Sequence, residues 1–328
     1  MNLVGSGRKA LLFILVSLCV GIGSMSNVRS EPLGIGSMGP GSPSYVMALA
    51  IAQAAKEQAG LELLPKPFKS TGQAVPLVDR GELNFGLSNA AELAAAWNGT
   101  GTFEGRSAKS LRLVARLFPF RMALAVRKDD PARTLADLKG RTLPSAFSAT
   151  TTGEQLVAAV LATAGLSYGD VKTVKVAEFL AMREAFLDHR TDVTIFVIGS
   201  GADAELARKV GGVRLLELPE GADTEAKIKS ILPVARTEML DPKDGASLID
   251  KPTRIMSYDF YLYSNEGAPA DIMKPLIASL LERHDTLVAT YPSFSWLTPQ
   301  TIVGDIGVPY HQAAEKYYRD SKLWPASP

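Results

Sequence analysis

Leu33-Gly34-Ile35-Gly36-Ser37-Met38-Gly39-Pro40-Gly41-Ser42-Pro43-Ser44-Tyr45 joins a short apolar run to a helix through a turn made almost wholly of Gly, Ser and Pro. Glycines let the backbone approach a bound group and take positive φ, and Ser42 before Pro43 has the chemistry of an N-cap followed by the first helical position. A helix starting there aims free N–H groups into the turn, which suits an anion. A tight strand-to-helix connection with no ligand explains the same residues equally well. Gly34, Gly36 and Gly39 match a dinucleotide fingerprint by letter, but the preceding run is short and Pro40 and Pro43 interrupt the helix start. The next strand ends in Pro65-Lys66-Pro67, with no acid to hold a ribose hydroxyl, so the match is read as accidental.

Outward from this turn the same chemistry recurs. Val46, Leu49, Ala50 and Ala54 predict a helix ending near Gly60, and Leu61 to Leu64 a strand. Ser70-Thr71-Gly72-Gln73 then leads into a short helix over Ala74 to Val78, stopped by Gly81. Leu83 to Leu87 reads as a strand, and Ser88-Asn89 opens an alanine-rich helix to Trp97. Strands are expected at Leu111 to Leu117 and Met122 to Arg127, separated by Phe118 to Arg121. A fourth polar turn, Pro144 to Thr152, precedes the apolar helix Leu156 to Ala164. Strands at Val171 to Val176, Asp192 to Ile198 and Val213 to Leu218 alternate with helices at Phe179 to His189 and Ala202 to Val210, which predicts a parallel sheet covered by helices on both sides. Thr253 to Tyr263 alternates as one long strand, with Met256, Tyr258, Phe260 and Leu262 on one face and Ile255, Ser257, Asp259 and Tyr261 on the other. A helix over Pro269 to Ala289 and a terminal helix through Tyr317-Tyr318 complete the pattern.

Two α/β regions joined near Arg121 and Ile255 predict two lobes with more than one interlobe crossing: residues 31–122 plus 253–328, and residues 123–252. Ligands of open α/β sheets sit beyond the carboxyl ends of the strands, so the polar turns are expected to face a cleft between the lobes.

The composition bounds the chemistry. The 328 residues are 46% hydrophobic and 21% charged, with net charge +1, enough for a sizeable core and with no basic excess that would call for nucleic acid. Arg8-Lys9, the apolar run Ala10 to Val20 and the small residues to Ser30 have the layout of a secretory signal peptide over residues 1–30. The single cysteine, Cys19, falls inside that run, with Leu18 too bulky for a usual lipidation site. No nucleophile elbow is present, and His189, His284 and His311 are far apart with no metal-ligand spacing, so neither an enzyme nor a cofactor or metal is called for.

The candidate ligand-binding residues are therefore neutral donors at the expected helix mouths: Ser37, Ser70, Thr71, Asn89, Ser148, Thr150, Thr151 and Thr152, with Met38 and Gly72 in the same turns. Each taken alone is equally an ordinary N-cap. Arg121 at a crossing adds a possible charged contact to a carboxylate, and Tyr45, Phe147 and Phe196 offer apolar contacts or serve as core.

In these motifs the mature chain resembles the TAXI family of TRAP-transporter solute-binding proteins. Ile35-Gly36-Ser37 before the helix bearing Tyr45, Ser70-Thr71-Gly72, the Gly81 to Asn89 strand and turn, Asn98-Gly99-Thr100-Gly101, Asp305 to His311 and Tyr317-Tyr318 carry the resemblance. Phe147 to Thr152 departs from the usual Gly-Ser-Gly-Thr turn, and Gln312-Ala313 replaces a usual Pro-Gly. The resemblance implies a type II-like periplasmic-binding-protein fold and a periplasmic receptor. Such a receptor closes on a small organic acid or amino acid and hands it to an ion-gradient-driven TRAP membrane permease. A periplasmic enzyme on a two-lobe scaffold, and the binding component of an ATP-driven importer, are the alternatives.

Overall fold

Strand β1 (Leu33–Met38) and helix α1 (Pro43–Ala59) flank the Gly/Ser/Pro turn as the sequence predicts, with Ser42 Oγ accepting from the Tyr45 N–H and Gly60 closing the helix in the left-handed conformation. Two of the glycines have a packing reason. A methyl on Gly36 would lie 2.6 Å from Ala74 Cβ and 2.9 Å from a Leu83 methyl, and one on Gly34 would lie 2.5 Å from Leu83 Cδ1. Close approach of neighbouring chain, and no bound group, accounts for them. The computed structural model describes residues 32–148, 151–243 and 248–325. The signal-peptide reading, Cys19 and Thr150 lie outside these residues, as does the side chain of Thr151.

Strand β2 (Leu63–Phe68) runs on through Pro65 and Pro67, further than expected. It is an edge strand paired only with β1, where missing N–H groups can face outward at no cost to the ladder. A 3-10 turn (Thr71–Gln73) and α2 (Val75–Asp79) lead to β3 (Phe85–Asn89) and α3 (Ala90–Asn98). Then comes a correction. Phe118 to Arg121 does not separate two strands, because β4 (Leu111–Arg127) is continuous for 17 residues. At Pro119 the outer side of β4 carries no strand, since β7 and β8 begin to pair only at Met122 and Leu124, so proline leaves no broken ladder there.

Next along the chain are β5 (Thr142–Ser145), α4 (Thr151–Thr163), β6 (Lys172–Lys175), α5 (Phe179–Leu187), β7 (Val193–Val197), α6 (Gly201–Lys209) and β8 (Val213–Leu216). The sequence reading missed α7 (Ala222–Ile231), whose exposed face carries the i,i+4 pairs Asp223–Lys227 and Glu225–Lys229, and β9 (Arg236–Leu240). Strand β10 (Thr253–Asn265) follows. The expected long helix after it is two, α8 (Ala270–Glu282) and α9 (His284–Thr290), before a 3-10 segment (Pro292–Trp296) and α10 (Gln312–Asp320).

The sheet is mixed, where a parallel one was expected. Its order is β2-β1-β3-β10-β4-β7, with β9 on β10 and β8 on β4. Only β1 with β2, β1 with β3, and the separate pair β5 with β6 are parallel. Strand β10 lies antiparallel to β4 from Met256 opposite Met122 to Asn265 opposite Leu111, with register shifts after Phe260 and Leu262. Its first half also pairs β9 and its second half β3. The buried apolar side chains gather accordingly. One cluster holds residues between Ile35 and Phe118 together with residues between Phe260 and Tyr318. Two others hold residues between Met122 and Tyr258, joined from the first half only by Ala91 of α3.

Gly36→Ala tests the packing reason for the opening turn. Ala74 Cβ is fixed to backbone and cannot rotate away, so the substitution is expected to cost about 1–3 kcal/mol in denaturant unfolding, with the secondary structure retained.

Candidate functional site

Helix α3 places the central group. Asn89 is its N-cap and accepts from the Glu92 N–H at 3.0 Å, so Asn89 and Glu92 have the spacing of a capping box. The box is only half made. The Glu92 carboxylate turns away from the Asn89 backbone and accepts instead from Thr71 Oγ1 at 2.6 Å and from Ser88 Oγ. A Cβ on Gly72 would sit 2.5 Å from Glu92 Oε1, so glycine at 72 is what lets the 3-10 turn close over the carboxyl. Burial pushes the Glu92 carboxyl up from its ordinary 4.5, against the opposing pull of the Ser88 and Thr71 hydroxyls and the Gly72 backbone.

A cavity of about 140 Å³ opens beside this carboxyl. Ala91, Glu92 and Ala95 of α3 and the loop Thr100 to Phe103 line it from one side, and Thr152 and Gln155 of α4 from the other. Its walls thus come from the chain segments on both sides of the β4 crossing. A larger, open groove of about 630 Å³ lies among Ser145, Ala146, Glu154, Tyr168, Gly169, Thr173 and Lys175, all from one segment. The smaller cavity, half-enclosed and walled from both segments, is the better candidate for a site that encloses a solute.

The structure gathers Thr71, Gly72, Asn89 and Thr152 of the expected residues around Glu92 and its cavity. Others are placed elsewhere or are already engaged. Ser37 is fully buried and donates to the Met38 carbonyl at 3.0 Å, while the Met38 N–H donates to Ser44 Oγ at 2.9 Å. Tyr45 is half-buried on α1, Ser70 occupies the N-cap position of the 3-10 turn without a side-chain bond, and Ser148 is exposed. Phe147 and Phe196 are core side chains and offer no surface to a ligand. Phe147, at φ +28 after Ala146 at φ +68, folds its ring inward against Phe179, with centroids 5.8 Å apart. Phe196 lies on β7 opposite Ala123, in the cluster with Leu206 and Ile255.

Arg121 is also engaged within the protein. Its side chain is buried and its guanidinium forks onto Glu238 of β9, with Nε 2.8 Å from Oε1, while stacking 3.5 Å from the centre of the Trp296 ring. Its charge is spent within the protein. Arg236 likewise holds Asp259 through two bonds of 2.9 and 3.0 Å, with Arg116 Nε 3.1 Å away. His311 caps α10 through Nδ1 and bonds the Ala268 carbonyl through Nε2, with burial keeping its pKa below 6.5. Sequence reasoning missed Glu92, Gln155 and the Thr102-Phe103 wall; the one available signal was a lone acid three residues after Asn89 in a run of alanines.

A mixed α/β fold with a long two-stranded crossing and a small polar cavity walled from both sides is that of the two-lobed periplasmic binding proteins. MatC from Rhodopseudomonas palustris with bound malate shares it at a TM-score of 0.56, with 15% identity, over 89% of this chain and 98% of that one. The periplasmic aliphatic sulphonate binding protein SsuA from Escherichia coli matches at a TM-score of 0.47 and 14% identity, over 88% of this chain and 79% of that one. The chain itself belongs to the NMT1-like family, whose profile matches residues 14–321.

The setting of Glu92 has a pH consequence. Unfolded, Glu92 titrates near 4.5; folded, it titrates higher, so its contribution to stability is full below 4.5 and is lost as pH rises through the folded value. Glu92→Gln keeps an acceptor for the two hydroxyls and removes the charge. By calorimetry, the wild-type Tm is expected to fall relative to the variant as pH is raised from 4.5 towards neutral, and a gap that does not change with pH would mean a solvated carboxyl.

Proposed function

We propose that the chain is a periplasmic solute receptor of a membrane transporter and not an enzyme. It binds a small organic acid or amino acid between two lobes and delivers it to a permease. The observation that carries this reading is the cavity between α3 and α4, walled from both sides of the crossing. Family membership and the fold shared with a malate-bound protein support it. The lobes are residues 31–122 plus 253–328 and residues 123–252, a division that the buried clusters support except at its edges, where Met122, Ile255, Met256 and Tyr258 pack with the second lobe. Closure is a hinge motion of β4 and β10 near Arg121 and Thr253, and the closed, liganded form is what the permease recognises.

Within this reading the transporter is of the TRAP type, supported by the motif resemblance from Ile35 to Tyr318, and residues 1–30 direct export. The neighbouring reading frame discriminates: a fused polytopic permease fits, whereas an ATPase with a Walker motif would make the chain part of an ATP-driven importer.

Thermal-shift screening against carboxylates, sulfonates and amino acids tests the binding. A hit is expected to weaken at least several-fold in Thr152→Val and Gln155→Ala, with the unliganded Tm nearly unchanged, because both residues line the cavity. Unaltered binding in both variants would move the site elsewhere.

A further inference from the structure

We propose that Glu92 is the specificity-determining residue of this cleft, and that an anionic solute enters it together with one proton, taken from solvent onto the Glu92 carboxyl. The proposal rests on the solute-receptor reading above. Glu92 is the one ionisable side chain lining the cavity among the described residues. The arginines nearest the crossing are committed, Arg121 to Glu238 and Arg116 and Arg236 to Asp259. A solute carboxylate placed against ionised Glu92 would set two anions together with no cation in the wall, and such a pair holds on to a proton.

The hydrogen-bond pattern gives the proton a second effect. With Glu92 ionised, the hydrogens of Thr71 and Ser88 both point at its Oε2, so Thr71, a donor expected to greet a ligand, and Ser88 beside it are turned inward. Protonation makes Glu92 itself a donor and removes the charge that holds those two hydrogens. The wall from α3 then changes from accepting to donating, which is what a carboxylate facing Thr152 and Gln155 requires. The titratable groups that face Glu92 from β10 are the phenols of Tyr258 and Tyr263, both held protonated by burial far above neutral pH, and neither can replace the proton. The carboxyl's own raised affinity for a proton runs in the same direction.

The test is isothermal titration of the mature protein with malate, succinate and pyruvate between about pH 5 and about pH 9, in two buffers of different ionisation enthalpy. Wild-type affinity is expected to fall by about tenfold per pH unit above the Glu92 pKa, with uptake approaching one proton per site. Glu92→Gln should bind the same acids with no proton uptake and a flat pH profile, an effect a purely structural role for Glu92 would not produce. Binding that is independent of pH in the wild type, or that strengthens as pH rises, overturns the proton linkage and leaves the receptor reading standing. No binding of these acids at any pH by either form counts against the receptor reading and takes the linkage with it.

Discussion

The antiparallel pairing of β4 with β10 is the constraint on which the rest of the molecule depends. These two strands run through both parts of the sheet, and every other strand of that sheet attaches to one of their halves, directly or through β3 and β1. Strand β10 changes core between Tyr258 and Phe260, and its register shifts follow directly, after Phe260 and Leu262. Before Phe260, Met256 and Tyr258 face one cluster of the second segment and Ile255 the other; from Phe260 on, Phe260, Tyr261, Leu262 and Tyr263 all belong to the first cluster. A bulge adds twist and reorients side chains, so one strand can serve two cores that a regular ladder would have merged. At the midpoint of the pairing the Arg121 side chain reaches across β10 to Glu238 of β9 and stacks on Trp296. A buried ion pair adds little net stability, but it is costly to break one partner at a time, so this contact fixes the strands' midpoint more than it strengthens the fold.

Local chemistry was readable in the sequence, and distant pairing was not. Gly60, Gly81 and Gly99 end helices or turns in the left-handed region, and Ser42 and Asn89 cap helices, as their residue types dictate over a span of three or four positions. The direction in which a strand enters a sheet depends on a partner more than a hundred residues away. Thr253 to Tyr263 announces itself as a strand, yet nothing in its alternation says that it runs antiparallel between β3 and β4 and so converts an expected parallel sheet into a mixed one. The helix Ala222–Ile231 was missed for a different reason: only Thr224 and Ile228 are buried, so its apolar stripe is too thin to show a period.

The site was half legible, and the half that was missed follows from competition among polar groups. Hydroxyls at helix mouths were read as donors waiting for a ligand, but a serine or threonine beside a backbone or carboxylate acceptor satisfies itself locally. Ser37 does so on the Met38 carbonyl, and Thr71 and Ser88 on Glu92. Which residues share a turn can be told from spacing; whether a carboxylate from the next element arrives first cannot. Phe147 repeats the lesson with an apolar side chain. The backbone there takes positive φ at two non-glycine residues, a conformation that costs energy and persists because the buried ring anchors it against Phe179. A phenylalanine in a turn of hydroxyl residues looked like a ligand contact, and it is the anchor that holds the turn.

The polarity of the cavity then decides how the two sides can work together. A cleft lined on both sides by free donors would hold an anion at any pH and would have no reason to carry an acid. This one has Thr152 and Gln155 on one wall and, on the other, a half-buried carboxyl that consumes the hydroxyls beside it. The arginines that might have supplied positive charge are tied to Glu238 and Asp259 at the strand crossing, where they hold β4, β9 and β10 in place. Fixing the crossing has therefore left the cavity without a cation among the described residues, where Glu92 is the one ionisable side chain lining it. On the proposal above, the protonation of that one side chain governs what the two walls of a cavity of about 140 Å³ can enclose.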